Sequence, residues 1–352
     1  MRLTGAVLVL TGLAALGLPA QAEVTRTLEA SLAVSPGAAF AVLNLAGTLT
    51  VVPAPGPAVR VKATVHAESD ALAASLSLAT VPGKDGTPTL RVEYPVDRYD
   101  EFRYPARGGG SDSGIDYAGR RVRVSGSHGV LLYADLVVEV PAGAGKGRLE
   151  TRAGAIEADR LEGNLRFETG SGAVHLSHSK GDLVGDTGSG DVIARDLQGS
   201  FRCDTGSGDC RVEAFEGDRL ACDTGSGAIL VSRARARTLN LDTGSGRVRL
   251  DAIEAEEVKV DTGSGPVEIE VVGDRLRRVV ADTGSGAVRL RLPPQAGFEA
   301  KTNLGSGNLR CDYADAQSIL KRREIVGCRR GDRRIDIKVD TGSGGLVIEP
   351  AR

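Results

Sequence analysis

One pentapeptide, Asp-Thr-Gly-Ser-Gly, recurs through the second half of this 352-residue chain and limits what it can fold into more than any other feature. It begins at Asp186, Asp204, Asp223, Asp242, Asp261, Asp282 and Asp340, with near copies at Glu168 and, as Asn-Leu-Gly-Ser-Gly, at Asn303. The first glycines of these copies (Gly170, Gly188, Gly206, Gly225, Gly244, Gly263, Gly284, Gly305 and Gly342) are separated by 18, 18, 19, 19, 19, 21, 21 and 37 residues. A near-fixed period of this length means one supersecondary unit stacked many times.

The residues around each turn alternate. Leu165 and Phe167, Leu220 and Cys222, and Val258 and Val260 precede it; Val174 and Leu176, and Val248 and Leu250, follow it. Arg166, Lys259 and Arg249 lie between them, which is the side-chain period of a strand. Each repeat thus reads as strand, glycine turn, strand and a looser return containing pairs such as Gly181-Asp182. A handful of buried aliphatic side chains contributes about 1.5 to 3 kcal/mol each, against roughly 1 to 2 kcal/mol per residue for ordering the backbone. No repeat can fold alone. The expected fold is all-β: a parallel β-solenoid (β-helix) of coils 18–21 residues long, with rungs about 4.8 Å apart and a less regular N-terminal β cap. Glycine is expected at the corners for φ > 0 or for close approach of the next rung.

In chain order, Leu3 to Leu18 is an apolar run ending in Ala20-Gln21-Ala22, so residues 1–22 read as a signal peptide. Residues 23–149 form the N-terminal β region, with a tyrosine-rich insertion at 95–128, and 150–349 the regular solenoid, with a basic loop at 311–334. The leader makes the expected location outside the cytoplasm, in the periplasm, at the cell surface or in the medium, and no stretch of the mature chain is apolar enough to cross a bilayer. A net charge of −2 argues against a nucleic-acid partner. With 3% aromatics and no Trp, the interior must be small and aliphatic. Gly345 to Glu349 reads as the last strand, its exposed edge blunted by Pro350.

Asp-Thr-Gly-Ser is also the signature of aspartic proteases, which need two copies facing each other across lobes. Seven copies in coil register do not supply that arrangement. The aspartates are expected to accept N–H bonds from their own Thr-Gly-Ser turns. Stacked carboxylates repel by roughly 1 kcal/mol in water and about 3.5 kcal/mol at an effective dielectric of 20, so a divalent cation between neighbours is the alternative. No other cofactor or metal is expected, since His175 and His178 lack further ligands nearby. Tyr99, Phe102, Tyr104 and Tyr117, beside Arg120, Arg121 and Arg123, are the candidate binding residues. Cys311 and Cys328 bracket the basic loop and are the candidate disulfide. Cys203 and Cys222 share the inward slot of successive rungs, as a small apolar ladder or a cross-rung bond, and Cys210 is inward. Outward groups such as Asp191, Asp209, Arg247 and Glu268 form no cluster distinct from a solvated surface, so no catalytic residue is assigned.

Gly-Ser-Gly-Asp-Val at 188–192 and Gly-Ser-Gly-Ala-Val at 170–174 and 284–288 resemble the bacterial β-strand-repeat family known as a "putative adhesin" domain of unknown function. The resemblance runs from about Phe40 to Glu349 and includes the Asn-Leu-Ala-Gly rung at 44–47 and Val-Glu-Val-Pro at 138–141. It implies a solenoid on or near the cell envelope and carries no catalytic residues. The expected function is a non-enzymatic, adhesin-like scaffold binding an envelope glycan or protein. A polysaccharide lyase or hydrolase and a self-associating structural rod are the alternatives.

Overall fold

The computed structural model describes residues 23–83, 85–105, 111–322 and 324–351. Residues 1–22, expected as a leader, Gly108 to Gly110 of the insertion and Arg323 of the basic segment lie outside the described residues.

The chain is all-β, a long and mostly parallel sheet wound into coils. Strand alternation puts the inward set in an apolar interior: Leu220, Cys222, Ile229 and Val231 of one coil are at most 3% exposed, and Leu239, Leu241, Val248 and Leu250 of the next at most 1%. Register is in phase from coil to coil, with Asp186 beside Asp204, Asp204 beside Asp223 and Asp223 beside Asp242.

The turn glycines are there for close approach. None of those in the Asp-Thr-Gly-Ser-Gly copies has positive φ; only Gly305, in the Asn303 variant, does. A Cβ added to Gly190 would lie 2.0 Å from the carbonyl oxygen of Gly172, one on Gly227 1.9 Å from that of Gly208, and one on Gly246 1.8 Å from that of Gly227. Real Cβ atoms do not come that close, so the second glycine of each turn is obligatory.

The return is not loose. Strands Val192–Thr205, Cys210–Thr224, Ile229–Thr243 and Val248–Thr262 run from one glycine turn to the next. Each bends at one left-handed residue: Asp196, Ala214, Arg233 and Ala252, with φ between 52° and 55°. Arg160 and His178 hold the same place in earlier coils. An L-residue pays about 1 to 2 kcal/mol for that conformation, and the registered ladder on both sides offsets it.

The coils do not stack in sequence order. Phe40–Ala46 and Leu49–Pro53 form a first coil that pairs directly with 146–159. The intervening residues fold over its outer edge, where Pro88–Glu93 and Val130–Val140 supply the next strands. At the other end, Ile335–Thr341 lies between Arg278–Thr283 and Phe298–Asn303, and Leu346–Pro350 lies between Val288–Leu292 and Leu309–Cys311. The C-terminal coil is therefore sandwiched, and the 37-residue step marks this change of order. Pro350 does not blunt an edge, and Val347 is flanked on both sides by Arg289 and Arg310.

The segment expected to project as a basic loop is instead a hairpin, Gln317–Lys321 with Glu324–Arg330, paired antiparallel to Phe298–Asn303 at the outer face of the last coil. The Arg330 guanidinium stacks over Tyr313 at 4.7 Å and bonds Asp315 at 2.5 Å.

The interleaved order is checked by cross-linking. Arg289→Cys with Val347→Cys occupies adjacent rungs and should form a disulfide on mild oxidation, whereas Arg289→Cys with Arg310→Cys spans two rung spacings of about 4.8 Å each and should not. The opposite pattern, read by mass spectrometry, would restore sequential stacking.

Candidate functional site

The face carrying the repeated aspartates is the most strongly patterned surface. Its carboxylates form one unbroken column because Asp340 pairs with Asp282 and is followed by Asn303. At the N-terminal end the acids are matched by cations: Arg148 reaches Glu150 at 2.8 Å and Glu168 at 2.6 Å, Arg152 reaches Glu150 at 2.7 Å, and Arg166 reaches Asp186 at 2.5 Å. Arg202 pairs with Asp204 at 3.1 Å and Lys338 with Asp340 at 3.0 Å. Between them Asp223, Asp242, Asp261 and Asp282 make no ion pair among the described residues.

These aspartates do not cap their own turns. The adjacent threonine does, because it points inward where the carboxylate points out. Thr243 Oγ1 donates to the carbonyl of Gly227 at 3.0 Å and accepts the N–H of Gly246 at 3.0 Å. Thr187, Thr205, Thr224 and Thr262 repeat the pair of bonds. One hydroxyl thus satisfies a donor within its turn and an acceptor in the coil before, and all of these threonines are buried. Asn44 stands in the same register in the first coil and donates to the carbonyls of Ala46 and Ala134.

Left with solvent and each other, the carboxylates feel their neighbours. Burial, then Asp261 and Asp223, raise the Asp242 pKa against Lys259. Burial and Asp204 likewise raise Asp186 despite Arg166. Among the described residues, no three carboxylate side chains bring an oxygen each within 4.8 Å of one another. The column is a row of parallel carboxylates, one per coil.

Beside the column runs a groove of about 420 Å³ that crosses several coils, edged by Asp182, Arg202, Arg219, Asp223, Asn240 and Asp242. A second, of about 450 Å³, crosses the following face past Glu157, His175 and Arg195. His175 lies in it, whereas His178 bonds Asp159 at 2.8 Å at the bend, so the two do not converge. Two outward acids do cap backbone: Asp191 accepts the N–H of Asp209, and Asp209 that of Ala228.

The aromatic insertion is not an exposed recognition loop. Phe102, Tyr104 and Tyr117 are at most 5% exposed, and only Tyr99, at 37%, reaches the surface. Tyr94 packs edge-on against Phe102 at 5.3 Å and Tyr117 at 5.8 Å. Its hydroxyl donates to the Ala46 carbonyl at 3.0 Å, and that of Tyr117 to the Val92 carbonyl at 2.7 Å. Burial pushes both phenols well above their ordinary range. The open end of the first coil needs both an apolar lid and hydrogen-bond donors, and a tyrosine supplies each.

The cysteines also pair differently. The disulfide joins Cys203 and Cys210, which flank one glycine turn, and Cys222 is a free thiol within 4.8 Å of both sulfurs. Cys311 and Cys328 are both thiols. A hydrogen bond between them holds Cys311 below the usual thiol range and pushes Cys328 up. Spacing along the chain identified the pair as neighbours but could not see that Cys203 and Cys210 face each other across the coil interior.

A family profile described as Toastrack DUF4097 matches residues 136–348, a narrower span than the repeat grammar alone suggests. No curated protein matches the chain. Among solved structures, a putative lipid binding protein from Parabacteroides distasonis ATCC 8503 is 10% identical with TM-score 0.44, covering 91% of this chain and 96% of that one. A putative adhesin from the same organism is 13% identical with TM-score 0.40, covering 92% and 97%. A putative adhesin from Bacteroides fragilis NCTC 9343 is 11% identical with TM-score 0.35, covering 94% and 98%. None is close enough to assign this chain a ligand.

The division of labour in the turn is testable at one coil. Thr243→Val strands a buried N–H and carbonyl and should cost about 1 to 3 kcal/mol. Asp242→Asn removes a carboxylate whose raised pKa means that the folded chain binds the proton more tightly than the unfolded one. Its ionisation therefore costs stability above the folded value, a cost that fades as pH falls through it. Thermal melts should show Asp242→Asn gaining about one or two degrees at neutral pH, with the gain vanishing below roughly pH 4. Equal losses for the two variants at neutral pH would give the cap back to aspartate.

Proposed function

The chain belongs to the Toastrack DUF4097 family, and on that premise we propose that it is an exported, non-enzymatic scaffold at or near the cell envelope that binds glycan or protein along its outward faces. In this reading residues 1–22 are the leader removed on export, and 23–149 and 150–349 act as one continuous rod. No helix among the described residues is long and apolar enough to cross a membrane.

The observation that carries the reading is the groove beside the aspartate column. It crosses successive coils on a scaffold in which backbone hydrogen bonds run from rung to rung, so its side chains are held at a fixed repeat. Asp182, Arg202, Arg219 and Asp242 stand on four successive coils along it, two bases flanked by two acids. A linear polymer with a matching repeat, such as an envelope polysaccharide, can be bound there by many weak contacts that add through a preorganised surface.

The test uses the chain from Glu23 onward against isolated envelope polysaccharide, with Arg202→Glu and Arg219→Glu combined. Retention of polymer by the native chain and a loss of about fivefold or more in the variant is the expected outcome, each charge contributing on the order of 1 kcal/mol. Release of reducing ends or unsaturated sugar would transfer the protein to the carbohydrate-active alternative. Equal binding by native chain and variant would remove the groove from the account.

A further inference from the structure

The hairpin over the last coil carries a feature that neither packing nor the proposed groove uses. Its base is bonded to the coil, with Arg330 beside Phe298 and Gly327 beside Lys301. Residues Leu320, Lys321, Arg322, Glu324 and Ile325 lie beyond that last pairing. Leu320 and Ile325 are cross-strand partners, so their side chains emerge on one face. They are 65% and 56% exposed, the most exposed large hydrophobic residues of those described. Ile319 and Val326 are half-buried beside them.

The charges sort by position. Most cations at the hairpin base and just after it are ion-paired, Arg330 with Asp315, Arg333 with Glu299 and Arg334 with Asp332, while Arg329 donates to the amide oxygen of Gln317. At the tip, Lys321 and Arg322 are exposed and make no ion pair among the described residues. A hairpin tip left to solvent alone is ordinarily built from Gly, Asn, Asp and Ser, and this one is not.

We propose that this tip docks on an anionic phospholipid surface, with Leu320 and Ile325 entering the boundary between headgroups and acyl chains and Lys321 and Arg322 meeting lipid phosphates. Two features favour a bilayer over a protein groove. The apolar element is a small convex knob, which a lipid interface admits without a shaped complement, and among the described residues its rim carries two unpaired cations, Lys321 and Arg322, against one unpaired carboxylate, Glu324, an excess opposite in sign to the lipid. One such element gives reversible binding and not permanent anchoring. The inference concerns a different surface from the groove, so polymer binding and lipid binding stand or fall separately.

The experiment sediments the chain from Glu23 onward, which excludes the apolar Leu3 to Leu18 run, with vesicles of phosphatidylcholine alone or with about one third phosphatidylglycerol. The native chain should partition into the anionic vesicles only, and less as salt rises. Leu320→Ser with Ile325→Ser should lower the partition coefficient about tenfold or more through lost apolar burial, and Lys321→Glu with Arg322→Glu about 25-fold or more, given that each basic residue at an anionic surface is worth about fivefold. Both pairs lie on an exposed tip, so melting temperature should not change. Failure of the native chain to sediment with anionic vesicles, equal binding by native chain and both variants, or capture of an acidic protein without vesicle binding would overturn the proposal.

Discussion

The contact on which this structure depends is between main chains. At each glycine turn the carbonyl oxygen of one coil points at the α-carbon of the second glycine in the next, at a distance that leaves no room for a methyl group. That approach fixes the rung spacing at the corner and so the register of the strands on both sides of it. The rest follows from register: Thr243 can reach back to the Gly227 carbonyl because the corner above it is one rung away and in phase. The inward aliphatics then meet their counterparts, and aspartate is stacked on aspartate as an electrostatic consequence. The repulsion in the column is tolerated because it is outward, partly hydrated and small beside the buried ladder.

A stack built this way has two sticky ends, and the protein closes them differently. The first coil is covered by strands Pro88–Glu93 and Val130–Val140, with Tyr94 and Tyr117 supplying ring surface to the core and hydroxyl donors to the carbonyls of Ala46 and Val92. The last coil is covered by an antiparallel hairpin that cannot continue the parallel ladder, which is how sheet edges are kept from recruiting further strands. Sandwiching 335–350 inside the stack also ties the C-terminus to strands on both sides. These closures argue against simple end-to-end growth of the rod through its terminal strand.

Strand positions and the inward or outward sense of each side chain were legible because alternation is a local signal and the pentapeptide sets its phase. The all-β solenoid follows from the period alone. Less could be read where one pattern serves two physical readings. Asp and Thr always occur together in the pentapeptide, so nothing in the sequence shows that Thr243 bonds the turn while Asp242 faces solvent. Coils sharing one grammar can stack on any other, so the order that puts Asp340 beside Asp282 left no local mark beyond the long step. The bend residues His178, Asp196, Ala214 and Arg233 share a conformation but no side-chain chemistry. Tyrosines among glycines and arginines read as a loop; burial of Tyr117 depends on an open coil end that only the assembled stack presents. At the candidate groove the charges themselves were visible, but which were paired and which were bare was not.

The claim that backbone contact at the corner governs the stack is tested most directly by placing alanine, singly, at Gly227, Gly246 and Gly265, with Gly56 as the control, and measuring unfolding free energies. A Cβ at the first three would sit within 2 Å of a carbonyl oxygen, whereas at Gly56 the nearest atom is a flexible arginine terminus at 3.6 Å. The account predicts losses of about 3 kcal/mol or more, or no folded protein, at each column position, and a change within about 0.5 kcal/mol at Gly56. Alanine tolerated in the column as well as at Gly56 would contradict it.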